Sequence, residues 1–208
     1  MNNVDLAFAL VGTSSIPADH GYHLYAAISR ALPAVHRPNG IAIHSVRGRI
    51  VGERQMQLCD FSRLTIRIAA DRIAELLPLA GKQLNVAGRG VRVGVPQVYA
   101  LTPATALRSR LVTIKVSAGD GQPSGPPDPD AFLAAARRQL DALNISPEAQ
   151  ISLGKRRTLR IKEKEVVGYE VLVEALSADE SLALQTHGLG GRRHMGCGIF
   201  VPTKREEE

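Results

Sequence analysis

The sequence predicts an α+β protein made of two tandem ferredoxin-like (RRM-like) domains, residues 1–103 and 104–208. Two observations lead there. A β-α-β-β-α-β order of elements runs twice along the chain, with the seam near 101–107. Period-two alternation of apolar and polar residues marks strands, and segments rich in Ala, Leu and Arg mark helices.

In the first round, VDLAFALV (4–11) reads as a strand. YHLYAAISRAL (22–32) reads as a helix, with Leu24, Ala27, Ile28 and Leu32 on one stripe. IAIHSVRGRI (41–50) reads as a strand. SRLTIRIA (62–69) sets Leu64, Ile66 and Ile68 against Arg63, Thr65 and Arg67. ADRIAELLPL (70–79) reads as a short helix ending near Pro78 and Gly81, and 83–99 hold one or two more strands. The second round opens with SRLVTIKV (109–116). The stretch 117–130, with four prolines and three glycines, reads as a surface loop. DAFLAAARRQLDALNI (130–145) is the strongest helical segment, and 151–161 with 165–175 form a hairpin. ADESLALQTHGL (178–189) is a helix with Ser177 as its cap and Glu180 completing a capping box. GIFVP closes the round as a strand.

Composition narrows the function classes. The chain has 208 residues, 44% apolar and 22% charged, enough for one sizeable core or two smaller ones. A net charge of +6 favours a polyanionic partner without requiring one. Four Tyr, four Phe and no Trp argue against an extensive base-stacking platform. Two cysteines, Cys59 and Cys197, make neither a disulfide framework nor a zinc site. No apolar run approaches 18 residues and the first residues lack a basic leader, so no membrane span and a cytoplasmic location are expected.

Three segments carry possible chemistry. GLGGRRHMGCG (188–198) spaces Gly188, Gly190, Gly191, Gly196 and Gly198 around Arg192, Arg193 and His194. Such glycines let backbone N–H groups approach a phosphate, and they also suit a turn-rich loop with a solvated charge run. In LGKRRTLRIKEK, residues Arg156, Thr158, Arg160, Lys162 and Lys164 share one strand face; that row fits a phosphate-tracking surface or a solvated hairpin. Six histidines are present without an H-x-x-x-H or H-E-x-x-H spacing, so no metal site is expected. There is no Walker lysine after the glycine loop, no G-x-S-x-G elbow and no acidic cluster for two-metal chemistry. General acid–base work by histidine remains, and PADHGYHLYAAISRAL is the place for it. His20 falls at the start of the first helix, where it fits either a cleft-facing group or a helix-terminus residue bonded to its own backbone; Tyr22, His23 and Tyr25 lie alongside.

With the glycine loop between the last helix and last strand, and His20 at a helix start, the chain resembles the CRISPR repeat-processing endoribonucleases of the repeat-associated mysterious protein superfamily. It is most similar to the compact Myxococcus-type subgroup. The resembling segments are 16–33, 77–84, 110–116 and 156–202, more than half the chain. The resemblance implies binding of the CRISPR repeat in precursor and guide RNA, one cut without metal or cofactor, and products bearing a 2′,3′-cyclic phosphate and a 5′-hydroxyl. It implies catalysis by His20, assisted by Tyr22 or Tyr25, since no lysine lies between residues 1 and 81. It implies RNA contacts at Gly188–Gly198 and other subunits of an effector complex as partners. The alternative is a catalytically silent RNA-binding scaffold subunit.

Overall fold

The computed structural model describes residues 2–12, 15–36, 40–115 and 128–203. The loop expected at 117–130 lies outside these residues apart from its last three. The chain divides into two compact units. The first comprises Met1–Ala100 with two short returns of the chain, Arg160–Lys162 and His194–Gly196; the second comprises Leu101–Leu159, Glu163–Arg193 and Cys197–Glu208.

The first unit begins with β1 (Asn3–Val11), β2 (Ser15–Pro17) and helix α1 (Gly21–Ala31). Strands β3 (Ala42–Ile43), β4 (Arg49–Ile50), β5 (Gln55–Gln57), β6 (Arg63–Ala69), β7 (Gln83–Val86) and β8 (Arg89–Ala100) follow. The larger sheet runs β3-β6-β1-β8-β7, and a second sheet runs β2-β5-β4. Counting β3, β6, β1 and β8 as second, third, first and fourth strands of one β-α-β-β-α-β round gives the order 2-3-1-4, which resembles ferredoxin-like topology. The core holds Leu6 and Phe8 of β1, Leu24 and Ile28 of α1, and Leu64, Ile66 and Ile68 of β6. Of the predicted α1 stripe, Leu24, Ala27 and Ile28 are buried, while Leu32 lies just past the end of the helix and is half-buried.

On the opposite face of that sheet Asp5 and Arg67 are direct cross-strand partners. The Arg67 guanidinium, 1% exposed, donates from Nε and Nη2 to the two Asp5 carboxylate oxygens at 2.7 and 2.8 Å. His44 Nε2 lies 3.4 Å from Asp5 Oδ1. Burial pushes the Asp5 carboxyl up, but the hydrogen bonds and charges of Arg67 and His44 outweigh it and hold the group well below the usual carboxylate range.

The second unit contains β9 (Leu107–Val112), α2 (Pro129–Ala142), β10 (Gln150–Ile161), β11 (Lys164–Glu174), α3 (Ala178–His187) and β12 (Val201–Pro202). Its sheet, β10-β11-β9-β12, again has the order 2-3-1-4. Phe132, Ala136 and Leu140 of α2 pack with Tyr169, Val171 and Val173 of β11 and with Phe200. The capping box read from the sequence is present: Ser177 accepts from the Glu180 amide, and Glu180 accepts from the Ser177 amide.

Three elements differ from expectation. Residues 41–50 are not one strand. Pairing with β6 ends just past Ile43, and the chain crosses to the smaller sheet at Gly48, where a Cβ would lie 2.4 Å from the Gln57 carbonyl oxygen. Residues 70–79 form two 3₁₀ segments, Ala70–Glu75 and Leu77–Leu79, rather than an α-helix, with Pro78 unable to donate within a continuous helix. The alternation read across 156–164 stops at Arg160. Lys162 has φ of +53° and turns the chain, so Lys162 and Lys164 leave the face shared by Arg156 and Arg160.

Candidate functional site

Helix α1 starts at a crowded place. His20 stands just before its first residue and is 3% exposed, with its carbonyl accepting the Leu24 amide at 2.7 Å. Its Nδ1 lies 3.1 Å from the Pro17 carbonyl oxygen, and the Val46 amide donates to its Nε2 at 2.9 Å. A carbonyl can only accept and an amide N–H can only donate. The partners therefore assign a neutral ring with its proton on Nδ1. Of the two readings the sequence leaves open for His20, a buried ring with main-chain partners stands nearer the helix-terminus one.

The neighbouring residues are more open. His23 is exposed and packs edge-on to the half-buried Tyr22, ring centroids 5.6 Å apart at 68°. Tyr25 lies 4.4 Å from the His194 ring at 53°. Both pairs belong to the first unit, because the return of the chain at His194–Gly196 does. So does the hairpin tip at Arg160–Lys162, where the Arg160 amide donates to Asp19 Oδ2 at 2.7 Å. Sequence reasoning missed this use of Asp19. Its partner lies 141 positions away and leaves no local signal.

Along the basic hairpin, Arg156, Arg160 and Lys164 are exposed. Arg157, on the alternate face of β10, is 3.4 Å from Glu170, which also pairs with Arg108. Glu170 thus gathers two arginines on that face, while Arg156 and Arg160 present their charge outward on the other.

The glycine-rich segment is accounted for by the fold. Gly188, Gly190, Gly196 and Gly198 all have left-handed φ, from +63° to +86°. A Cβ at Gly188 would meet the Gly198 carbonyl oxygen at 2.0 Å, and one at Gly198 would meet that of Leu189 at 2.0 Å. The amides of Gly188, Gly190, Gly191 and Gly198 donate to Leu184 O, Gln139 Oε1, Thr113 O and Leu111 O at 2.7–3.0 Å. These N–H groups are spent inside the second unit and do not form an open phosphate cradle. Arg193 Nη2 donates to the Thr186 carbonyl at 2.8 Å, and Arg192 Nη1 reaches Thr113 Oγ1 at 3.4 Å. Gly191 is exposed, with open space where a Cβ would stand.

Among the described residues no group of three or more His, Cys, Asp or Glu side chains is placed to hold a metal ion, and no helix is long and apolar enough to cross a membrane.

Fold and site together describe an α+β protein with two sheets of ferredoxin-like strand order, an outward-facing arginine hairpin and a histidine–tyrosine helix start. The chain belongs to the Cas6 family of CRISPR proteins, whose model matches residues 4–205. It is 40% identical over 202 residues to the CRISPR-associated endonuclease Cas6 of Myxococcus xanthus, an alignment covering 97% of this chain and 82% of that one. Among solved structures it is similar to a RAMP protein described as binding different RNA substrates, with a TM-score of 0.71 and 14% identity over 98% of this chain and all of that one. A Cas6-related protein of Pyrococcus furiosus gives a TM-score of 0.69 at 16% identity, covering 99% of each. At these identities the structural likeness is one of fold.

Proposed function

We propose that this protein is an endoribonuclease that binds the repeat of a CRISPR precursor transcript and cuts it to guide RNA. The observation that carries the reading is the 40% identity, across nearly the whole chain, to a protein named as a CRISPR endonuclease. The two units are read as tandem ferredoxin-like domains, 1–103 and 104–208, of the compact Myxococcus-type subgroup. Guide RNA and the other subunits of an effector complex are the proposed partners.

The proposed reaction is an internal transesterification without a metal. The ribose 2′-oxygen attacks the adjacent phosphorus while a histidine takes its proton. The bond from phosphorus to the 5′-oxygen breaks, and that oxygen leaves with a proton. The products carry a 2′,3′-cyclic phosphate and a 5′-hydroxyl. A neutral histidine near pH 7 suits the first proton transfer. His20 spends both ring nitrogens on main-chain partners, so the base is assigned to the exposed His23 beside Tyr22, three residues on. Tyr25, with His194 against it, is the second assisting group. Arg156, Arg160, Lys162, Lys164, Arg192 and Arg193 supply positive charge to the RNA backbone, His194 stands with them as a hydrogen-bonding group, and Gly188, Gly190, Gly191, Gly196 and Gly198 act by shaping the loop that carries Arg192, Arg193 and His194.

The experiment is incubation with the repeat RNA from the protein's own genome in EDTA, followed by end-group analysis, for wild type and for alanine variants of His20, His23, His36, His44 and His194. The wild type is expected to cut once and leave the ends named above, and a 2′-deoxy substitution at the cut site to abolish cutting. The involvement of both His20 nitrogens also favours a second reading, an RNA-binding scaffold without catalysis. Tight repeat binding with no cut by wild type would establish that one.

A further inference from the structure

We infer that His20 is a positioning residue, a neutral imidazole latch that fixes the first turn of α1 by bridging two main-chain segments. The inference rests on the cleavage reading for its effect on rate, and on geometry alone for the latch. Three connections meet in this residue. Its carbonyl opens α1 by accepting from Leu24. Its Nδ1–H donates to the Pro17 carbonyl at the end of β2. Its Nε2 accepts from Val46, in the stretch between β3 and β4.

Each partner shows why the ring is needed there. The Val46 amide falls where the chain has left β3's ladder, the last bond of which runs from His44 N to Thr65 O at 2.9 Å. It has not yet entered β4. A buried amide in that gap needs an acceptor from elsewhere, and the imidazole supplies it. The neighbouring residue is also tied down, since Ser62 Oγ donates to the Arg47 carbonyl at 2.6 Å. Pro17 and Ala18 are held on the other side by β5 and by the bond from Ala18 N to Arg54 O at 2.7 Å. The ring therefore joins two anchored segments across the helix start. Tyr22 and His23 follow within the same turn, so the latch sets where they stand.

The same geometry argues against proton transfer by this ring. A neutral imidazole has one lone pair in its plane for accepting, and here it faces Val46. A proton taken there would set N–H against N–H.

The test separates a latch from a base. Glutamine and asparagine carry an amide that can both donate and accept, as the ring does, yet neither takes a proton near neutral pH. His20→Ala is expected to lower kcat about 100-fold with KM within a few-fold of wild type, the scale of loss when a reacting group is displaced by about 1 Å. His20→Gln or His20→Asn is expected to restore kcat to within about tenfold of wild type. Separately, nitrogen NMR of the intact protein should show the Nδ1–H tautomer at His20 and slow exchange at the Val46 amide. The inference is overturned if both amide variants are as slow as His20→Ala, if His20→Ala cuts like wild type, if the ring is the Nε2–H tautomer, or if the Val46 amide exchanges freely. Wild type that cuts no repeat RNA would defeat the proposed function, while the tautomer and exchange measurements still decide the latch.

Discussion

Helices α1 and α3 begin in opposite ways. Helix α3 is started and stopped locally: Ser177 and Glu180 exchange hydrogen bonds at its head, and Gly188 ends it with its amide bonded to Leu184. Helix α1 has no side-chain cap bond at its head. Its lead residue instead reaches 26 positions along the chain to Val46. The locally capped helix carries its own start signal, and the other Glu180 oxygen takes the Ser146 amide of the same unit at 2.6 Å. The remotely latched one ties the helix start carrying Tyr22 and His23 to the segments at Pro17 and Val46.

The largest expected effect breaks the comparison on the α1 side. His23→Ala is expected to slow cleavage of repeat RNA by about 10²–10⁴-fold, the usual contribution of a positioned acid or base, with repeat binding nearly intact. Single-turnover rates beside binding measurements check this. Cleavage at the wild-type rate would remove the base assignment.

On the α3 side the effects are on stability. Gly188→Ala places a Cβ 2.0 Å from the Gly198 carbonyl oxygen on a backbone with φ of +66°. A loss of roughly 2–6 kcal/mol is expected from left-handed strain plus overpacking, read from urea unfolding. Ser177→Ala removes only the cap and should cost about 1 kcal/mol while leaving kcat at the wild-type level. A changed kcat at unchanged stability would mean that α3's head is not merely structural.

The Glu180 carboxyl sharpens the same contrast through pH. The Ser146 amide, at 2.6 Å, is the main cause of its lowered pKa, followed by the Ser177 amide at 2.8 Å and the Ser177 hydroxyl. A depressed folded-state pKa gives stability that is present above the unfolded value, about 4.3, and is lost as pH falls through the lower folded value. Unfolding curves of wild type and Glu180→Gln are therefore expected to differ at neutral pH and to converge in acid. A constant gap across that range would show that the charge on Glu180 is immaterial.

The smallest expected effect concerns the hairpin. Arg160→Ala and Lys162→Ala should each weaken RNA binding broadly and reduce the log–log salt slope by roughly 0.7–0.9. An unchanged slope in both would make this tip a solvated turn.

What the sequence made legible follows the same divide. The α3 head could be read because Ser177 and Glu180 lie three residues apart, and the α1 stripe because helical period exposes it. That β1 and β6 are strands could be read from their alternation. The His20 bond to Val46 could not, because it joins segments with no shared local pattern. The break in 41–50 was hidden for the same reason: Ile41, Ile43 and Val46 are all buried, but alternation does not reveal a chain crossing between sheets at Gly48. The glycine spacing marks a segment where backbone comes close to other groups, as at Gly188, Gly190 and Gly198. Whether the approach was to a phosphate or to the carbonyls of Thr113, Leu111 and Leu189 depended on three-dimensional placement.

The Asp5–Arg67 pair has a consequence for how the first sheet assembles. These residues face each other across β1 and β6, between Val4–Ile68 and Leu6–Ile66. A slip of one residue would set Asp5 against Ile66 or Ile68 and turn one strand's charged side chain toward the apolar core. A slip of two would keep the faces but strand a buried guanidinium without its carboxylate, a loss of about 3–5 kcal/mol. Interchangeable aliphatic rungs on both sides tolerate misalignment; this single ionic rung does not, and so it serves the sheet as a keyway.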